Sequence, residues 1–149
     1  MDRQSPVSNT GSSPKSVGII GLGLIGGSFA KAYRAAGWKV YAYDIDADTM
    51  DLARIETIDG EVNEETLPLL DLVVLAAYPE ACVSWLQNHA PLLGELGSAG
   101  PLVIDAAGVK QAVCSEAFAL AKTHGFSFCG THPMAGTQFS GFSHARADL

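Results

Sequence analysis

The stretch Val17-Gly18-Ile19-Ile20-Gly21-Leu22-Gly23-Leu24-Ile25-Gly26-Gly27-Ser28 passes from an apolar run through a glycine-rich turn into residues with helical spacing. Gly21, Gly23 and Gly26 fit G-x-G-x-x-G in the context that gives the pattern meaning, directly after a strand and before a helix. The first glycine allows the tight turn, the second lets a ligand approach the backbone, and the third lets helix and strand pack closely. Amides at the helix start would then face an anion such as a pyrophosphate. A bare glycine triplet also fits an ordinary strand-to-helix turn. Here the helix is expected from Ile25, Phe29, Ala32, Tyr33 and Ala36, an apolar stripe that ends at Gly37, which suits a left-handed C-terminal position.

Working outward, Lys39-Val40-Tyr41-Ala42-Tyr43 reads as the next strand, and Asp44 follows it, 23 residues after Gly21. A carboxylate there can accept hydrogen bonds from a ribose diol and repels a 2′-phosphate, which favours NAD over NADP. The alternative role is capping, because Asp44-Ile45-Asp46 precedes a helical stretch from Ala47 to Ile55. Asp71 to Ala76 reads as a buried strand, and Pro79 opens a helix running to about Ala90. Leu102 to Asp105 is a further strand. Val109, Val113, Ala117, Leu120 and Ala121 give a helical stripe closing near Gly125, and Phe126 to Cys129 reads as a sixth strand. Thr57 to Pro68 is expected to hold a short strand and a short helix.

This alternation with short linkers implies a single α/β domain whose mostly parallel sheet is doubly wound, in the Rossmann manner. Ligands in such sheets sit beyond the carboxyl ends of the strands. The expected dinucleotide contacts are therefore Gly21, Leu22, Gly23, Leu24, Ile25, Gly26 and Asp44, with Ala76, Tyr78 and Gly108 from later strand ends.

Composition bounds the rest. The chain has 149 residues, is 48% apolar and carries a formal net charge of −7. That balance argues against adhesion to nucleic acid, whose affinity comes mainly from lysine and arginine. Met1 to Ser16, with five serines and two prolines, lacks the apolar residues that offset chain entropy and is expected to be a loose tail ahead of a domain spanning 17–149. It also lacks the apolar core of a secretory signal, and no later run reaches the roughly 18 apolar residues of a membrane span. A soluble, cytoplasmic protein is expected. Cys82, Cys114 and Cys129 are odd in number and widely spaced. They signal neither a disulfide framework nor a metal site, and three reduced, mostly buried thiols are expected.

The second constellation is Cys129-Gly130-Thr131-His132-Pro133-Met134-Ala135-Gly136-Thr137-Gln138. Pro133 biases His132 toward extended geometry, and Gly130 and Gly136 permit turns on either side. An imidazole titrates near neutrality and can accept a proton from a substrate hydroxyl as hydride leaves the same carbon. A histidine that only braces a turn fits equally well. His89, His124 and His144 are expected to be structural or exposed. Lys110 stands near a helix start, where a cation is disfavoured. Asp105, another carboxylate or a bound ligand would compensate it, unless water alone screens it.

Taken together, the Gly-Leu-Gly-Leu-Ile-Gly-Gly-Ser core, Asp105-Ala106-Ala107-Gly108-Val109-Lys110 and Gly130-Thr131-His132-Pro133-Met134-Ala135-Gly136-Thr137 resemble the amino-terminal domain of prephenate and arogenate dehydrogenases. The resemblance implies NAD-dependent oxidative decarboxylation in tyrosine biosynthesis, from prephenate to 4-hydroxyphenylpyruvate or from arogenate to tyrosine. It makes His132 the catalytic residue that assists deprotonation of the ring hydroxyl, and makes His132, Thr137 and Gln138 the substrate-side candidates. Two positions depart from the family pattern: Gly108 stands where many members have serine, and Gln138 where glutamate is common. Family members continue into a helical dimerisation domain that supplies cations for the substrate's carboxylates. This sequence ends at Leu149, with Arg146 a poor anchor, so a fragment with weak or no activity alone is expected, homodimeric when full-length. The competing expectations are a nucleotide-binding module without catalysis and a β-hydroxyacid-type dehydrogenase.

Overall fold

The computed structural model describes residues 13–149. Six strands form one sheet: β1 (Ser16–Ile20), β2 (Lys39–Tyr43), β3 (Gly60–Glu61), β4 (Leu72–Leu75), β5 (Leu102–Asp105) and β6 (Phe128–Gly130). Every pairing is parallel and the order is β3-β2-β1-β4-β5-β6. The order reverses between β1 and β4, so the doubly wound expectation holds and the strand ends share one edge of the sheet. Right-handed crossovers then fix which face each helix covers. On one face lie α1 (Leu24–Ala35) and α2 (Ala47–Glu56), and on the other α3 (Pro79–Leu96) and α4 (Lys110–His124).

The two cores follow from the pleat, since successive side chains on a strand point to opposite faces. Ile19 and Val74 pack with Val40, Ala30, Met50 and Ala53 on one side. Ile20, Val73 and Leu75 pack with Leu86, Leu93, Val113 and Ala117 on the other. A strand buried on both faces reads as continuous apolar sequence, as β1 and β4 do.

Three details add to the expectations or correct them. The buried residues of α1 are Gly26, Gly27, Ser28 and Ala30, whereas Ile25, Phe29, Ala32 and Tyr33 are half-buried and Ala36 is exposed. Gly26 lets the helix sit against the Gly21 carbonyl and Gly27 makes room for Phe142, while Phe29 and Tyr33 of the stripe pack against the core as half-buried residues. The helix opened by Pro79 runs past Ala90 and Pro91 to Leu96. Proline removes one helical hydrogen bond there, but Leu93 is buried in the core and Gly94 approaches the His124 carbonyl so closely that a Cβ would lie 2.3 Å from it. Tertiary packing against α4 thus carries the helix through the proline. The third detail concerns the thiols: Cys82 is buried, Cys114 half-buried and Cys129 exposed, all free, because Cys129 lies on an edge strand with one neighbour.

Smaller shifts complete the comparison. Ser16 belongs to β1 and its amide donates to the Asp71 carboxylate at 2.8 Å, so the first strand starts one residue before Val17. Residues 1–12 of the expected tail lie outside the described residues. The sixth strand is displaced to Phe128–Gly130, with Phe126 instead buried in the core. Thr57 to Pro68 holds β3 and the start of a 3₁₀ turn, Leu67–Leu69.

After β6 the chain turns back across α1. Phe142 and Ala145 are buried against the α1 side of the sheet, where a Cβ on Gly27 would lie 2.7 Å from the Phe142 ring. The Arg146 amide donates to the Ser28 hydroxyl at 3.0 Å, and Lys31 Nζ donates to the Ala145 carbonyl at 3.1 Å. No helix of the described residues is long and apolar enough to cross a membrane.

Candidate functional site

The glycine turn sits at the reversal point of the sheet, and its glycines divide by what surrounds them. Gly21 has φ 94°, in the left-handed region that glycine alone adopts without strain. Its amide donates to the Tyr43 carbonyl at 2.8 Å, joining the ends of β1 and β2. A Cβ on Gly21 would lie 2.7 Å from the Ala77 amide nitrogen, and one on Gly26 would lie 1.8 Å from the Gly21 carbonyl oxygen. A Cβ on Gly23 would meet nothing within 4 Å. Two glycines are therefore closed in by protein, and the middle one opens to solvent.

Gly23 is also the N-cap of α1, and no side chain caps the helix or places a negative charge in its first turn. The first amides of a helix have no intrahelical acceptor. A phosphate approaching over Gly23 would fill that role, aided by the positive end of the helix dipole. Leu22, Leu24 and Ile25 flank this opening. Ala76, the first residue after β4, donates its amide to the Ile20 carbonyl at 2.7 Å and brings its methyl group against Gly26. Tyr78 stands at the start of α3 and is 87% exposed.

Asp44 lies beside this turn, but its carboxylate already has local duties. One oxygen accepts the Leu22 amide at 2.7 Å, and the other accepts the Asp46 amide at 2.8 Å. Each oxygen retains a further lone pair for a ribose hydroxyl. The capping role falls to Asp46, which accepts from the Thr49 amide at 3.1 Å and the Thr49 hydroxyl at 2.5 Å. The Thr49 hydroxyl, then its amide, hold the Asp46 carboxyl below its ordinary pKa.

At the end of β5 the buried Asp105 gathers several donors. Its carboxylate accepts the Ala107 amide at 3.2 Å, the Thr131 amide at 3.0 Å and the Lys110 ammonium. Lys110 therefore has a protein counter-ion, and its ammonium also donates to the Thr131 carbonyl. The Thr131 hydroxyl donates back to the Asp105 carbonyl. Cys114 lies alongside, its thiol pushed up by burial first and by the Asp105 charge second. These bonds join the end of β5, the start of α4 and the loop after β6.

That loop carries His132. Its imidazole is exposed, and among the described residues no hydrogen bond fixes the ring. The ring faces the end of β5, with Nε2 3.9 Å from where a Cβ on Gly108 would stand. Met134 has φ 53°, the one non-glycine residue with positive φ among those described, and backbone strain of this kind collects at functional sites. Pro133 and Ala135 form one wall of a groove of about 150 Å³ whose other wall includes Ile25 and Phe29 of α1. The loop thus lies against the helix that begins at the glycine turn.

Thr137 and Gln138 stand further along. Both are exposed, and they line an open concavity of about 530 Å³ with Phe139, His144 and Arg146, not with His132. The Thr137 hydroxyl is engaged by the Phe139 amide at 3.1 Å, and Arg146 is paired with Asp148 at 2.9 Å. Of the other histidines, His89 stacks on Trp85 with ring centroids 4.2 Å apart, and His144 stacks on Phe139 at 4.7 Å. Thr131 was not among the expected residues, although it is the most heavily bonded member of its loop.

Comparison with known proteins gives this arrangement a family. The model of the prephenate dehydrogenase nucleotide-binding domain matches residues 29–149. The chain belongs to that family.

Prephenate dehydrogenase from A. aeolicus, solved with hydroxyphenyl propionate and NAD+, is 30% identical, with a TM-score of 0.68, over 91% of this chain and 47% of its own. Arogenate dehydrogenase from Synechocystis is 26% identical, also at 0.68, over 87% of this chain and 45% of its own. The chain thus spans about half the length of these dehydrogenases. Mycobacterium tuberculosis 3-hydroxyisobutyrate dehydrogenase superimposes with a TM-score of 0.69 over 83% of this chain and 42% of its own. At 19% identity that likeness is one of fold. The family match begins at Phe29, so it does not include the glycine turn.

Proposed function

We propose that this chain is the NAD-binding part of a dehydrogenase that oxidatively decarboxylates prephenate or arogenate, with His132 as the base. The observation that carries the reading is the meeting of His132 with Gly108 at the strand-end edge that also holds the open Gly23 turn. Gly21 to Gly26 would hold the pyrophosphate, and Asp44 the adenosine ribose, with Ala76, Tyr78 and Gly108 along the path toward the nicotinamide. When bound, NAD supplies the hydride acceptor. His132 accepts the proton of the ring hydroxyl, and loss of carbon dioxide aromatises the ring. Thr137 and Gln138 contribute on the substrate side. Dimerisation and recognition of the carboxylates belong, on this reading, to the remainder of a cytoplasmic protein about twice this length.

Calorimetric titration of this chain with NAD tests the cofactor half of the proposal. For the chemistry, NADH formation from prephenate and from arogenate is followed with wild-type and His132→Asn protein. The substitution is expected to lower kcat by about 10²- to 10⁴-fold, the range for loss of a general base. Unchanged turnover in His132→Asn would remove His132 from the chemistry. NAD binding without turnover of either substrate would make the protein a nucleotide-binding module.

A further inference from the structure

Among the described residues no hydrogen bond holds the imidazole of His132, yet the residue before it is held at every polar group it has. The Thr131 amide donates to the Asp105 carboxylate at 3.0 Å, its carbonyl accepts from the Lys110 ammonium, and its hydroxyl donates to the Asp105 carbonyl. Asp105 has no exposed surface. A charge so buried is tolerated only when paired and hydrogen-bonded, and here its nitrogen donors are the Ala107 amide just past its own strand, the Lys110 ammonium at the start of α4 and the Thr131 amide of the His132 loop. Lys110 is half-exposed and anchored at the first residue of α4, so its ammonium ties the end of β5 to the residue just after β6.

From this clamp we infer that Asp105, with Lys110 as its counter-ion, is a positioning residue that sets where His132 stands relative to the strand-end edge. The inference rests on His132 being the base. Neither Asp105 nor Lys110 is required to touch the reacting atoms. Their effect passes through the Thr131 backbone to the next residue, where Pro133 already narrows the choice of conformation. A base displaced by about 1 Å loses on the order of 100-fold in rate, so a clamp on the adjoining peptide is where such a loss would arise. The sequence spacing hides it, because Asp105 and Thr131 are 26 positions apart.

The test compares Asp105→Asn and Lys110→Met with wild type and His132→Asn, in the protein that turns over substrate. Both clamp variants are expected to lower kcat by about 100-fold, with KM and the affinity for NAD within about threefold. Amide hydrogen exchange should quicken at Thr131 while Val73 and Val74 of β4 keep their protection. If His132→Asn abolishes turnover and the clamp variants keep wild-type kcat, the positioning role is overturned and the proposed chemistry stands. Should His132→Asn leave turnover intact, the chemistry fails, and exchange at Thr131 decides the clamp: unchanged protection in Asp105→Asn overturns it. Where Asp105→Asn does not fold, Thr131→Val removes only the hydroxyl bond and is read the same way, with a smaller loss of kcat expected and an unchanged one counting against the clamp.

Discussion

Gly108 and His132 face one another across the strand-end edge: a side-chain carbon on Gly108 would stand 3.9 Å from Nε2 of the imidazole. The family pattern carries serine at this position in many members, so the glycine leaves the ring without a neighbouring hydroxyl. Nothing else lies within 4 Å of that carbon, and a larger residue fits.

Gly108→Ser is therefore expected to place its hydroxyl within hydrogen-bonding reach of Nε2. Stability should change by less than about 1 kcal/mol, as for other surface substitutions. The His132 ring signals in a nitrogen-edited NMR spectrum should move while those of His89 and His124 stay in place. A His132 spectrum identical to wild type would mean that the two residues do not meet in solution.

The glycine turn makes a paired prediction. In Gly26→Ala the new methyl group collides with the Gly21 carbonyl, an overpacking that should cost about 3 kcal/mol or more. Gly23→Ala meets no protein atom within 4 Å, so its stability should stay within about 1 kcal/mol of wild type, the scale of an N-cap change. Its nucleotide affinity should nonetheless fall by more than about tenfold, which is 1.4 kcal/mol. Denaturant melts and calorimetric titrations separate the two effects. Wild-type affinity in a folded Gly23→Ala protein would show that the pyrophosphate goes elsewhere.

Asp44 serves the turn and, on the proposed reading, the ribose. Asp44→Ala should lose about 10- to 100-fold in NAD affinity, the range for charged hydrogen bonds. Affinity for NADP should rise relative to NAD because the repulsive charge is gone. Equal losses for both nucleotides would limit Asp44 to holding the Leu22 and Asp46 amides.

Acid should act on α2 through Asp46. Its pKa is depressed in the folded state by the Thr49 hydroxyl and amide, so its contribution to stability is complete above the ordinary aspartate range. That contribution is lost as pH falls through the lowered value. Asp46→Asn keeps an N-cap acceptor without a titrating charge, and its thermal midpoint should approach that of wild type as the solution is acidified. A gap that stays constant from neutral pH into acid would contradict the cap.

How much of this was legible in the sequence depends on how far apart the cooperating residues lie. The glycine turn, Asp44 and the alternation of strands and helices are local signals, and the sheet order follows from them with few alternatives. The continuation of α3 beyond Pro91 was hidden, because it depends on contact with His124 on another helix. For α1 the stripe gave the helix, but the burial of its small residues Gly27 and Ser28 depends on the distant return of Phe142 to Arg146. The loop of His132 is singled out by its composition, but its clamp to Asp105 is a pairing of distant residues with no periodic trace. The return of Phe142 and Ala145 over α1 was equally hidden.

The sheet's two borders bear on how copies of this protein meet. The inner strands β1 and β2 have five residues each, while the outer ones, β3 and β6, have two and three. An exposed border of unpaired amides and carbonyls is a template for another chain's strand, and shortening it weakens the invitation. Borders this brief offer few ladder bonds to an incoming copy. Self-association by extending the sheet, and the fibrous aggregation that can follow from it, is therefore poorly seeded in this domain.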